Sequence, residues 1–152
     1  MKKIFLDTNV FVSGLLESSS DPACHAILDA LAARRLRSCV TAWRCCLEFF
    51  SVTTRLPLDY RLSPEAAVVL MVEHIFDKVE VSDLPVEHAI EWMRKLGGSH
   101  ARGGLIYDAH IAQVAHHSGC ALLVTHNTVD FRKIAPHGVE VLNPREFVER
   151  MM

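Results

Sequence analysis

The sequence predicts an α/β protein, a three-layer α/β/α sandwich in which a central, mainly parallel sheet is covered by helices on both faces. Three observations lead there. Strand-like and helix-like segments alternate along the chain, the strand segments are apolar throughout as burial on both faces requires, and helices open on proline signatures at Asp21-Pro22, Ser63-Pro64 and Pro144. With 152 residues, 50% of them hydrophobic and 22% charged, the chain is expected to fold as one domain, residues 1–152, around one sizeable core.

Taken in order, Lys3 to Leu6 reads as a short buried strand ending in Asp7-Thr8-Asn9. Asp21 caps a helix that Pro22 opens and that runs to about Arg35. Leu36 to Val40 is expected as the second strand, after which Thr41 caps a helix through Leu47, Glu48 and Phe50 to about Thr54, closed by Pro57. Ser63-Pro64-Glu65 opens "AAVVLMVEHIF", "KVEVSD" alternates like a strand, and "PVEHAIEWMRKLGG" gives a helix stopped at Gly97. "SHARGG" is a loop. Leu105 to about Ser118 is helical with Asp108 in its first turn, Gly119 leads into the buried strand "CALLVT", and "VEVLN" and a closing helix from Pro144 end the chain.

The formal net charge of −2 gives no global sign of a nucleic-acid or membrane binder, although a local basic face is compatible with it. Only Ile4, Phe5 and Leu6 precede Asp7, too few for a signal peptide, and no window is apolar enough to span a bilayer, so a cytoplasmic location is expected. The five cysteines include no C-x-x-C pair and fit reduced thiols in a core.

A carboxylate at the tip of a buried strand is costly unless something pairs with it. In parallel sheets the ligand site lies beyond the carboxyl ends of the strands, where Asp7 ends the first strand and Asn127 and Asp130 follow "CALLVT". Asp108 joins them if its helix starts at the same edge, and Glu48, set among Trp43, Leu47, Phe49 and Phe50, asks for a cation. Carboxylates gathered at one point raise each other's pKa unless a divalent cation neutralises them, and hard oxygen donors suit Mg²⁺ or Mn²⁺. Two such ions roughly 4 Å apart cleave phosphodiesters without a protein nucleophile. Each residue also has a local reading: Asp7 as a turn or cap, Asp108 as a first-turn acid on the helix dipole, Glu48 as the partner of Arg44.

"IFLDTNVFVSG", the helical Glu48, "GGLIYDAHIAQVA" and "LLVTHNTVDF" together resemble, in order and spacing, the four blocks of the PIN-domain ribonucleases, particularly the VapC toxins of bacterial toxin–antitoxin pairs. The resemblance implies a metal-dependent endoribonuclease acting on RNA, using Mg²⁺ or Mn²⁺, inhibited by a cognate antitoxin protein and forming a homodimer through helices near its N-terminus. It puts Asp7, Glu48 and Asp108 in the metal-binding set, with either Asn127 or Asp130 at the fourth position. Thr8, Asn9 and Thr125 match polar positions that would orient the carboxylates or the attacking water.

Other features point less far. "GGSHARGG" lacks both G-x-G-x-x-G and a P-loop lysine, but could lend His100 and Arg102 to an RNA phosphate. Arg34, Arg35 and Arg37 fit a solvated helix end, and the histidines do not point to zinc: His116 and His117 are adjacent and face different sides of a helix, while His25, His74 and His88 are scattered on helices. A haloacid-dehalogenase-type phosphatase would need a second aspartate as general acid where the chain has Asn9, and an amide cannot donate that proton. A PIN module that binds RNA or a protein without cutting is the remaining alternative, and the neutral Asn127 is its support.

Overall fold

The computed structural model describes residues 2–152. Its elements are β1 (Lys3–Leu6), α1 (Thr8–Leu15), α2 (Pro22–Ala32), β2 (Cys39–Ala42), α3 (Trp43–Thr54), α4 (Pro64–Met71), a π turn (Val72–Phe76), β3 (Glu80–Ser82), a 3₁₀ turn (Val86–His88), α5 (Ala89–Gly97), α6 (Leu105–His117), β4 (Cys120–Val124), α7 (Thr128–Ile134), β5 (Glu140–Leu142) and α8 (Pro144–Met151). The five strands form one parallel sheet in the order β3-β2-β1-β4-β5. Parallel strands joined through helices make the predicted three-layer sandwich.

Because side chains alternate across a strand, β1 sends Ile4 and Leu6 to one face and Phe5 to the other, and β4 does the same with Leu122 and Val124 against Leu123. The first face is closed by Val10 and Phe11 of α1, Ile27 and Leu31 of α2, Phe49 of α3 and Phe147 of α8. The second is closed by Ile111, Val114 and Ala115 of α6 and Phe131 of α7. Burying each large apolar side chain contributes about 1.5–3 kcal/mol, so both layers are held mainly by these residues.

Four features differ from expectation. The segment after Leu6 is a helix, α1, since the Asp7 side chain accepts from the Thr8 N–H and starts the turn. The second strand begins at Cys39 rather than Leu36, because α2 ends at Ala32 and Arg34 takes the left-handed conformation at φ 53°. That reversal lets the N–H groups of Arg35 and Leu36 return to the Ala30 carbonyl at 2.9 and 3.1 Å, so Leu36 belongs to the helix end. Thr41 lies within β2 and does not cap α3: its hydroxyl donates to the Leu6 carbonyl at 2.8 Å. A short helix, α7, also follows β4 and carries Asp130 in its first turn.

Candidate active site

β1 lies between β2 and β4, so the chain leaves it towards one side of the sheet and comes back on the other. The carboxyl ends of β1 and β4 are therefore a switch point, where the connections diverge and leave a crevice. Asp7 stands at that point, only 5% exposed, with its N–H donating to the Val124 carbonyl at 3.1 Å. Its carboxylate Oδ1 accepts from the Thr8 N–H at 2.8 Å. Oδ2 accepts from the Thr125 hydroxyl at 2.7 Å and from Asn9 Nδ2 at 3.3 Å. Burial pushes the Asp7 carboxyl up to about 6, helped by the charges of Glu48 and Asp108, against the lowering effect of the Thr125 and Thr8 hydrogen bonds.

α3 brings Glu48 to the same point. Its Oε2 accepts from the Thr8 hydroxyl at 2.7 Å and its Oε1 from Arg44 Nε at 3.1 Å. Glu48 thus has both its local partner one turn back and a tie to the strand-end motif, with Thr8 joining Asp7 to Glu48. α6 runs back into the parallel strand β4, so its first turn lies at the carboxyl edge and presents Asp108 there. Asn127 Nδ2 donates to Asp108 Oδ2 at 3.3 Å. Burial raises the Asp108 pKa first, then the charges of Asp130 and Glu48, opposed by Arg44.

The structure therefore gathers Asp7, Glu48, Asp108 and Asn127, with Thr8 and Asn9, around one cleft of about 270 Å³ that Val12 and Val52 complete. Thr125 lies behind it, fully buried. Asp130 stands to the side of Asp108, acts on it by charge, and lies 3.8 Å from Lys133. Asn9 donates to both Asp7 and Thr125, the work of a positioning amide rather than of a proton donor.

His100 lines a separate groove with Trp92 and Leu96, away from the acidic cleft. Two contacts have no signal in the sequence. Cys45 places its sulfur 3.7 Å from Asp7 Oδ1, and Arg44 lies over the Tyr107 ring with Cζ 4.0 Å from the centroid. No spacing rule links residues 44 and 107, so only the fold shows that contact.

The donor set fits a hard divalent cation: carboxylates from three elements converge in one cleft, and burial disfavours the charge of Asp7 and Asp108 unless a cation offsets it. Among known proteins, Ribonuclease VapC27 of Mycobacterium tuberculosis (strain ATCC 25618 / H37Rv) is 30% identical to this chain over 136 residues, 88% of this chain and 93% of that protein. Two solved structures share the fold. One, of FitAB bound to an IR36 DNA fragment, has a TM-score of 0.60 and 23% identity and covers 93% of this chain and 94% of its own. The other, a crystal structure of FitAcB from Neisseria gonorrhoeae, has a TM-score of 0.60 and 21% identity and covers 93% of this chain and 98% of its own. Residues 4–136, from the first strand through the helix after β4, match the PIN domain, and the chain belongs to that family.

Proposed function

We infer that this chain is a VapC-type ribonuclease, the toxin of a toxin–antitoxin pair, which hydrolyses RNA phosphodiester bonds with Mg²⁺ or Mn²⁺. The observation that carries the reading is the convergence of Asp7, Glu48 and Asp108 on one cleft at the switch point of the sheet. Asp7, Glu48 and Asp108 would hold the cation, with the charge of Asp130 added beside Asp108. When bound, the cation supplies the polarisation of water for attack and offsets the charge that develops on the leaving oxygen.

The rest of the site orients these groups. Thr125 and the Thr8 N–H fix the two oxygens of Asp7, the Thr8 hydroxyl and Arg44 fix those of Glu48, and Asn127 holds one oxygen of Asp108. Neutral Asn127 acts here by donating a hydrogen bond to an acid, and Asp130 supplies the fourth charge. An antitoxin protein and a second copy of the chain are the expected partners, in the cytoplasm; no helix among the described residues is long and apolar enough to cross a membrane.

The deciding experiment incubates purified protein with structured RNA and Mg²⁺ or Mn²⁺, beside Asp7→Asn and a chelator control. Cleavage by the wild type alone, abolished by chelator, is expected. Equal cleavage by wild type and Asp7→Asn would overturn the nuclease reading and favour a non-cutting RNA- or protein-binding module.

A further inference from the structure

On the far side of Asn9 from the acidic cleft, three side chains of different chemistry meet. Asp21 precedes α2, Cys24 lies in its first turn, and His126 follows β4, so the last comes from a segment 102 residues beyond Cys24. His126 Nε2 is 2.8 Å from Asp21 Oδ2 and 3.4 Å from Cys24 Sγ, and the three donor atoms all lie within 4.8 Å of one another. The other oxygen, Asp21 Oδ1, accepts from the Cys24 N–H at 3.0 Å, which fixes the carboxylate and turns Oδ2 towards the sulfur and the ring nitrogen.

This triangle is not a nucleophilic triad. There the imidazole relays a proton between two partners on opposite nitrogens, whereas here the acid and the thiol both face Nε2. Three lone-pair donors facing one point suit a cation. One sulfur, one imidazole nitrogen and one carboxylate oxygen are ligand types of a Zn²⁺ site and differ from the oxygen donors of the acidic cleft, and the 2.8 Å hydrogen bond between His126 and Asp21 would open slightly as an ion takes the place of its proton. The carboxylate is already oriented by a backbone N–H, as ligands in metal sites commonly are. Access is open on the solvent side, where Asp21 and His126 line a surface pocket with Asn143.

We propose that Asp21, Cys24 and His126 form a second metal site, one that takes a Zn²⁺-class transition-metal ion through three protein donors and water. On binding, the Cys24 thiol proton leaves to solvent, and the Nε2 proton that His126 donates to Asp21 leaves as well or is exchanged for one on Nδ1, so that the neutral ring ligates through Nε2 with its proton on Nδ1. The ion ties α2 to the β4–α7 turn. That turn reaches the acidic cleft directly, since the His126 N–H donates to Asn9 Oδ1 at 3.1 Å and Asn9 Nδ2 donates to Asp7.

The test is titration of metal-free, reduced full-length protein with Co²⁺ in excess Mg²⁺, followed by the thiolate-to-cobalt charge-transfer band, with Zn²⁺ then used to displace the cobalt. A single equivalent is expected to bind with that band, and Cys24→Ser is expected to lose it. His126→Ala, at an exposed position where folding is not at stake, is expected to weaken binding at least about tenfold. Cys45→Ser and Asp7→Asn, which alter the other sulfur-and-carboxylate group, are expected to keep the band. The proposal is overturned if the wild type shows no band, if Cys24→Ser keeps it, if His126→Ala binds as tightly as the wild type, or if the band is lost with Cys45.

Discussion

The Thr125 hydroxyl donates to Asp7 Oδ2 at 2.7 Å and accepts from the Asn127 N–H at 3.0 Å and from Asn9 Nδ2 at 3.2 Å. One buried oxygen thereby sets the position of a carboxylate and of the two amide residues beside it. Thr125→Val keeps the shape and removes all three bonds, and groups that orient metal ligands commonly contribute 10–100-fold, so activity is expected to fall by about that factor. Thr125→Ser should recover most of it. Initial rates against Mg²⁺ concentration check this, with the Val variant needing more metal for half-maximal rate.

The buried Asp7 carboxyl lowers the stability of the metal-free fold wherever it is charged. Its carboxyl titrates near 6 when folded and near 3.8 when unfolded, so between those values the folded chain retains a proton that the unfolded chain has released. Stability of the metal-free protein therefore falls as pH rises from about 4 to about 6, by up to about 3 kcal/mol. Asp7→Asn removes that loss. In chelator at pH 7.5 it should be more stable than the wild type by about 1–3 kcal/mol, and the difference should vanish near pH 4, as urea denaturation at the two pH values will show.

Arg44 occupies Glu48 Oε1 while lying over Tyr107. Both charged side chains are more than one third exposed, so Arg44→Gln should change stability by less than about 0.5 kcal/mol. The expected effect is on function and runs in two directions. The cleft becomes more negative, so less Mg²⁺ is needed, while the KM for RNA rises several-fold as the cation beside Glu48 is lost. A change of the same sign in both constants would count against this role.

Gly14 of α1 packs directly against α2. A Cβ there would lie 2.5 Å from Leu28 Cδ2 and 2.9 Å from the Cys24 carbonyl oxygen, and the backbone atom cannot turn aside. Gly14→Ala is expected to destabilise the fold by about 1–3 kcal/mol by overpacking. Thermal and urea unfolding measure it directly.

The strands were legible because "IFL" and "CALLV" are continuous apolar runs, and their order placed Asp7 and Asn127 on one edge before any coordinates. α1 was not legible, since Asp7-Thr8-Asn9 has the composition of a turn, and the same side-chain hydrogen bond that makes a turn here starts a helix. The start of β2 was missed because its signal is a backbone reversal at Arg34, a residue type with no preference for positive φ. Thr41 was read as a cap because its partner, the Leu6 carbonyl, lies 35 residues earlier. Within the site, Asp7, Asp108 and Asp130 were found by their position after strands or in a first helical turn, and Glu48, inside α3, by its apolar neighbours and the family resemblance. The Arg44–Tyr107 stack and the Asp21–Cys24–His126 triangle were not, because nothing local encodes a contact between distant segments.

The separation of Asp7 from Thr125 has a consequence during synthesis. A growing chain carries Asp7 and Glu48 well before Thr125, yet the bond that orients Asp7 spans 118 residues and waits for β4 to pair beside β1. Such long-range pairing forms late and slowly compared with local helices. A ribosome making this protein is therefore not exposed to a finished cutting site while only the first half of this domain has emerged: the acids come together only after "CALLVT" has left the ribosome and docked beside β1.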